Sequence, residues 1–183
     1  EDKRKKKEYM KNKNIQQNTI STIKIIKIPV GTKEIEDFKF CEYIHLESIE
    51  IPDSVTTIGE SAFSGCSSLK SIIIPSKIKK IEKSTFENCS SLNSVKLPDG
   101  LKKIESEAFK NCKSLREIFI PSSNVFISAN AFEGCKIKKL AKLNVFGSTY
   151  ILRSGLVELV IFFKMLLFFG ILAFVAYILN YFK

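Results

Sequence analysis

The stretch C-S-S-L-K-S-I-I-I-P-S-K-I-K-K-I-E-K-S-T-F-E-N, Cys66 to Asn88, decides the fold, because the chain repeats it. At a constant 23-residue step, cysteine returns as Cys66, Cys89, Cys112 and Cys135, and proline as Pro29, Pro52, Pro75, Pro98 and Pro121. The chain has no other proline. Apolar columns keep the same step. Leu46, Leu69, Leu92 and Leu115 form one; Ile49, Ile72, Val95 and Ile118 form the next. Ile51, Ile74, Leu97 and Ile120 each stand directly before proline. Val55, Ile78 and Leu101 align, then Ile58, Ile81, Ile104 and Ile127. The pairs Ala62-Phe63, Thr85-Phe86, Ala108-Phe109 and Ala131-Phe132 close each unit. Only Thr85 and Asn124 depart, and Val125 sits one place beyond Asn124. A decayed copy precedes them in Ile23, Ile26, Ile28, Pro29, Ile35 and Phe40, as terminal repeats usually are.

The spacing within a unit predicts its local structure. The pattern L-x-x-I-x-I alternates at its end, which predicts a short half-buried strand. Proline then ends the ladder, having no N–H to offer. Ile58, Ala62, Phe63 and Cys66 lie at roughly helical intervals, which predicts a helical or 3₁₀ turn. A 23-residue unit is too short for a propeller blade and cannot bury its own apolar face. It suits one coil of a solenoid, with strands stacked in parallel at about 4.8 Å. The expected units are 20–42, 43–65, 66–88, 89–111 and 112–134, followed by a cap that completes a repeat body over 20–145.

Cys66–Asn88 closely resembles the BspA-like leucine-rich repeat. So do I-P-D-S-V-T-T-I-G-E-S-A-F-S-G-C (Ile51 to Cys66) and L-P-D-G-L-K-K-I-E-S-E-A-F-K-N-C (Leu97 to Cys112). The resemblance covers roughly residues 20–145 and rests on I-P…I-x-x-x-A-F-x-x-C. It implies a leucine-rich-repeat solenoid of short parallel strands, with surface display, adhesion and protein binding as its usual setting. A host or extracellular-matrix protein is the kind of ligand implied. No catalytic residue, cofactor or metal is implied.

The carboxyl end carries a separate signal. Met165 to Phe182, MLLFFGILAFVAYILNYF, runs without a single charge. At 1.5 Å per residue it spans about 27 Å, close to the hydrocarbon thickness of a bilayer. Residues 159–182 are therefore expected to form one transmembrane helix, with Lys164 snorkelling near one end and Tyr177 and Tyr181 at an interface. The stretch 146–158 reads as a juxtamembrane linker, and 1–19 as a basic polar arm. Arg153 and Lys164 precede the span and Lys183 follows it, which taken literally places the repeats in the cytoplasm. The family resemblance points instead to repeats outside the cell, on the plasma membrane.

Charge and rare residues narrow the function classes. A net charge of +10 over 183 residues raises nucleic acid or anionic lipid as partners. Yet no aromatic ladder interleaves with a basic stripe, and arginine, the usual reader of guanine, is scarce beside lysine. Nucleic acid is thus disfavoured, and the bilayer is met through the C-terminal helix. His45 is the single histidine, which leaves few partners for Ser-His-Asp or Cys-His chemistry. No nucleophile elbow, phosphate loop or C-x-x-C metal motif occurs, so no enzyme is expected.

The column Cys66, Cys89, Cys112 and Cys135 could be redox-active, since stacked coils bring thiols within about 5 Å. The favoured reading is a structural ladder of small buried hydrophobes, with Cys41 out of register. Strand residues that point away from the core are expected to form the concave face. There, Glu50, Ile73, Lys96, Glu117 and Phe119 are the candidate partner-binding residues, with Ile73 and Phe119 apolar where solvent is expected. Asn88-Cys89-Ser90 matches a glycosylation sequon, weighed against the expected burial of Cys89.

Overall fold

The computed structural model describes residues 22–122 and 124–137, together with the backbone of the strands Leu143–Val145 and Ser148–Tyr150. The arm 1–19, the expected span 159–182 and most of the expected linker lie outside these residues. No helix among the described residues is long and apolar enough to cross a membrane.

Each of the first four units contributes two short strands. The first strands are β1 (Ile25–Lys27), β3 (Ser48–Glu50), β5 (Ser71–Ile73) and β7 (Ser94–Lys96). The second strands are β2 (Glu34–Ile35), β4 (Thr57–Ile58), β6 (Lys80–Ile81), β8 (Lys103–Ile104) and β9 (Phe126–Ile127). All pair in parallel at the 23-residue step: Ile26 faces Ile49, Ile72 faces Val95, and Ile81 faces Ile104. The result is a β-solenoid of about four complete turns. The fifth unit keeps its second strand, β9, but makes only an isolated bridge at Glu117. Beyond it, β10 (Leu143–Val145) and β11 (Ser148–Tyr150) pair antiparallel, so part of the stretch read as linker is extended chain.

The first strands match the sequence expectation. In β3, β5 and β7 the central residue is buried and both neighbours are exposed. The pre-proline residue still donates across the stack, as Ile28 N does to Glu50 O at 3.0 Å and Ile74 N to Lys96 O at 2.9 Å. Proline cannot continue this ladder. Its carbonyl instead accepts from the residue three places on, Val55, Ile78 or Leu101, and turns the chain. In the fifth unit that turn slips by one residue, with Val125 N on Ser122 O. Val125 then fills the pocket that Asn124 could not, and Ile127 stays in register with Ile104.

The helical turn expected from Ile58 to Cys66 does not form. Ile58 belongs to a second strand, and the corner after it is a succession of turns. Its amides alternate in direction. Ala62, Ser64 and Cys66 donate three residues back, to Gly59, Ser61 and Phe63. Ser61, Phe63 and Gly65 donate instead to Lys83, Thr85 and Glu87 of the next unit. A helix sends every amide back along its own axis, so it could not hold the units together here. The alternation is achieved by residues in the left-handed region, in two columns. One is Phe38, Ser61, Ser84 and Glu107; the other is Glu42, Gly65, Asn88, Asn111 and Gly134. At Gly65, φ is 79°, which glycine adopts without strain, and a Cβ there would press on the end of the Glu42 side chain at 2.7 Å.

Inside the corner runs a phenylalanine stack. Phe40, Phe63, Phe86, Phe109 and Phe132 follow one another at centroid spacings of 5.2–5.4 Å with interplanar angles of 4–17°. Around it lie the leucine and isoleucine columns, of which Leu46, Leu69, Ile81, Leu92, Ile104 and Leu115 are fully buried. Thr85 replaces alanine in this core without an orphaned hydroxyl, since its Oγ1 donates to Glu82 O at 2.8 Å.

The cysteine column is tied to the same stack. Cys66, Cys89, Cys112 and Cys135 each donate their thiol to a phenylalanine carbonyl one unit back, at Phe40, Phe63, Phe86 and Phe109, over 2.9–3.2 Å. The thiols are free, and only Cys135 is not fully buried. Burial pushes the Cys89 thiol well above its ordinary value. Contact with Cys135, then burial, raises Cys112, while the same contact pulls Cys135 down.

The core can be probed at its rings and at its thiols. Phe86→Ala removes the centre of the stack and is expected to cost about 3–5 kcal/mol, read as a lowered urea midpoint. A change within 0.5 kcal/mol, roughly that of an ordinary surface substitution, would contradict a stacked core. Because the thiolate is the reactive form, an aromatic disulfide reagent at neutral pH is expected to label Cys135 before Cys66, Cys89 and Cys112. All five thiols should react once guanidinium unfolds the chain; labelling of Cys89 as fast as Cys135 in the native state counts against the arrangement.

Candidate binding face

Two columns of first-strand residues point outward. The solenoid brings Ile25, Ser48, Ser71, Ser94 and Glu117 into one, and Lys27, Glu50, Ile73, Lys96 and Phe119 into the other. All are exposed, Ile73 to 66% and Phe119 to 55%. The five residues singled out in the sequence thus share a column, save Glu117, which lies beside it. In-register pairing sets Ile73 next to Lys96, and Lys27 next to Glu50 with an ion pair of 2.9 Å.

Charge along this edge is also arranged by the repeat. Glu47 lies between Lys24 at 3.3 Å and Lys70 at 2.7 Å, one unit to either side. Hydrogen bonds from Lys70 and then Lys24 hold its carboxyl below the usual carboxylate range. The second strands carry a matching cluster. Lys80 bonds Glu82 and Glu105 at 2.8 and 2.9 Å, and Lys103 bonds Glu105 at 2.8 Å. Glu105 is correspondingly held low, by Lys103 and then Lys80, and Lys80 is raised by both carboxylates.

One exposed aromatic was not legible as a candidate. Phe126 is 60% exposed, and the Lys103 ammonium stands 5.2 Å from its ring centroid. It occupies the outward position of the second strand, after Glu34, Thr57, Lys80 and Lys103. The signal was its place directly before the Ile58 column, which identifies an outward residue only once that column is seen to be a strand. His45 lies exposed in a turn, away from any cluster of metal ligands among the described residues. Cys41, out of the thiol column, is buried as well.

A depressed carboxylate stabilises the fold at pH values above its unfolded range and loses that effect as pH falls through its folded value. The stability lost in Glu47→Gln is therefore expected in full near pH 7. It should shrink as pH falls below about 4.3, the ordinary glutamate value, and vanish once the folded carboxyl is itself protonated, measured by urea midpoints across the acid range. A difference independent of pH would show that the carboxylate charge is not involved.

The repeats match the family model described as BspA type leucine rich repeat region, in six copies over residues 12–138. Among solved structures, the chain is similar to a leucine rich cell surface protein from Faecalibacterium prausnitzii. That match has 36% identity and a TM-score of 0.61, over 65% of this chain and 31% of that one. It is also similar to the leucine rich repeat protein of T. pallidum, with 26% identity and a TM-score of 0.59 over 64% and 57% of the two chains. A leucine-rich repeat protein from Bacteroides ovatus aligns at 29% identity and TM-score 0.53, over 68% and 35%. The chain therefore spans between about a third and somewhat over half of these relatives. No curated protein matches significantly. With the 23-residue solenoid, the proline-ended strands and a family match over most of its length, the chain belongs to the BspA-type leucine-rich-repeat family.

Proposed function

We propose that the chain is a membrane-anchored, noncatalytic surface protein that presents its solenoid outside the cell and binds a protein there, as an adhesin does. Leucine-rich repeats of this family are suited to protein binding, and the Faecalibacterium prausnitzii relative is described as a cell surface protein. The observation that carries the reading is the exposure of Ile73 and Phe119 on a rigid outward column that also holds Glu50 and Lys96. Large apolar side chains framed by charge are the usual composition of a protein-binding hot spot. Glu117 completes the proposed surface, and a host or extracellular-matrix protein is the class of ligand it would take. In this reading the apolar run at 159–182 holds the protein in the plasma membrane as a single span. The column Cys66, Cys89, Cys112 and Cys135 serves as a structural ladder, which its burial and its bonds to phenylalanine carbonyls support.

A second reading keeps the fold and reverses the orientation. Arg153 and Lys164 before the span favour a tail-anchored scaffold whose repeats face the cytoplasm and bind proteins there. Protease added to intact cells separates the two: loss of the repeat body supports external display, and full protection refutes it. For the binding face, Phe119→Ala and Ile73→Ser are each expected to weaken adhesion to immobilised extracellular-matrix protein by roughly tenfold. Urea midpoints should stay unchanged, because both side chains are exposed. Unaltered adhesion in the double variant removes this face from the function.

A further inference from the structure

We propose that Asn88 is the acceptor for an N-linked glycan, transferred from a polyprenyl-pyrophosphate-linked oligosaccharide while the repeat body faces a secretory lumen. The proposal rests on the external orientation argued above, and it goes beyond that orientation in naming a modification site.

Asn88-Cys89-Ser90 is the single N-x-S/T triplet in the 183 residues. The fold places its two ends differently. Cys89 is fully buried and points inward, whereas Asn88 is exposed on the corner, in the left-handed region at φ 61°. Burial of the middle residue therefore does not bury the acceptor. The Asn88 amide is also oriented. Its Oδ1 accepts from Asn111 Nδ2 at 3.0 Å, one unit along the stack. That bond holds the oxygen toward Asn111 and does not engage Nδ2. Among the described residues Nδ2 donates to no protein acceptor. Asn88 belongs to neither strand, so a glycan on it stands outside the outward column that holds Ile73 and Phe119.

Asn111 provides an internal comparison. It has the same backbone conformation, φ 59°, and is followed by the buried Cys112, but its nitrogen is committed to Asn88 and Lys113 stands where the sequon needs serine. The transfer itself balances simply. Nδ2 attacks the anomeric carbon of the lipid-linked sugar, and the N–C bond forms as the C–O bond to pyrophosphate breaks. The polyprenyl pyrophosphate leaves, and one amide proton passes to a base of the transferase. Nothing is oxidised or reduced.

The test translates the full chain behind a cleavable signal peptide in the presence of endoplasmic-reticulum microsomes. The added peptide sets delivery, and protection from protease reads it, so the outcome is independent of where the native chain places its repeats. The protected chain is expected to carry one endoglycosidase-sensitive mass step. Asn88→Gln and Ser90→Ala should each abolish it, and Asn111→Gln should keep it. A protected repeat body without the step, or a step that survives Asn88→Gln, overturns the proposal. Failure of the surface reading shows separately, as full protection of the repeats in intact cells.

Discussion

Every second backbone amide at the corner of each unit has no partner within its own coil, and the fold depends on how these are satisfied. Ser61, Phe63 and Gly65 send their N–H groups to carbonyls of the following unit, and Ser84, Phe86 and Asn88 repeat the same three bonds one unit on. Buried backbone groups without partners are costly, so a unit is stable only against its neighbour. The same contact brings phenylalanine onto phenylalanine and thiol onto phenylalanine carbonyl. A change of one residue in repeat length would break all three at once. That is the physical reason for the constant step of 23 in the proline and cysteine columns.

Deviations are tolerated where they leave this stacking intact. Thr85 brings a hydroxyl into the core and satisfies it locally on Glu82. Asn124 displaces the proline-led turn by one residue, and the chain recovers before Ile127 pairs with Ile104. Gly59 marks a close approach of two backbones, since a Cβ there would meet the Asp37 backbone nitrogen at 2.6 Å. Other units carry glutamate in that column, at Glu36, Glu82 and Glu105. The first two units are thus packed more closely at this point than a side chain would allow.

Outside the core, the repeat acts as a spacing device for surface groups. Lys24, Glu47 and Lys70 alternate in charge because each belongs to a successive unit, and Lys80, Lys103 and Glu105 gather for the same reason. Apolar exceptions stand out against this background: Ile25 and Ile73 on the first strands, Phe119 at the equivalent place in the fifth unit, and Phe126 on a second strand. The fifth unit, which carries both aromatics, is also the one that lacks a first strand paired to its neighbour. Affinity from such a scaffold comes from a few anchoring side chains held at fixed spacing rather than from total area.

The sequence by itself determined the solenoid, its step and the inward columns, because a 23-residue period has to be written into every unit to be read at all. It also placed Glu50, Ile73, Lys96 and Phe119 on one outward column, since alternation along a strand depends only on position. It could not decide the corner. Ile58, Ala62, Phe63 and Cys66 have spacings that serve a helix as well as the observed strand and turns, and the side chains are buried in either case. What separates the two is where each amide finds its acceptor, and half of those acceptors lie in the next unit. The left-handed columns, the outward place of Phe126 and the free nitrogen of Asn88 all follow from that choice. They are properties of stacked units, so only the tertiary structure contains them.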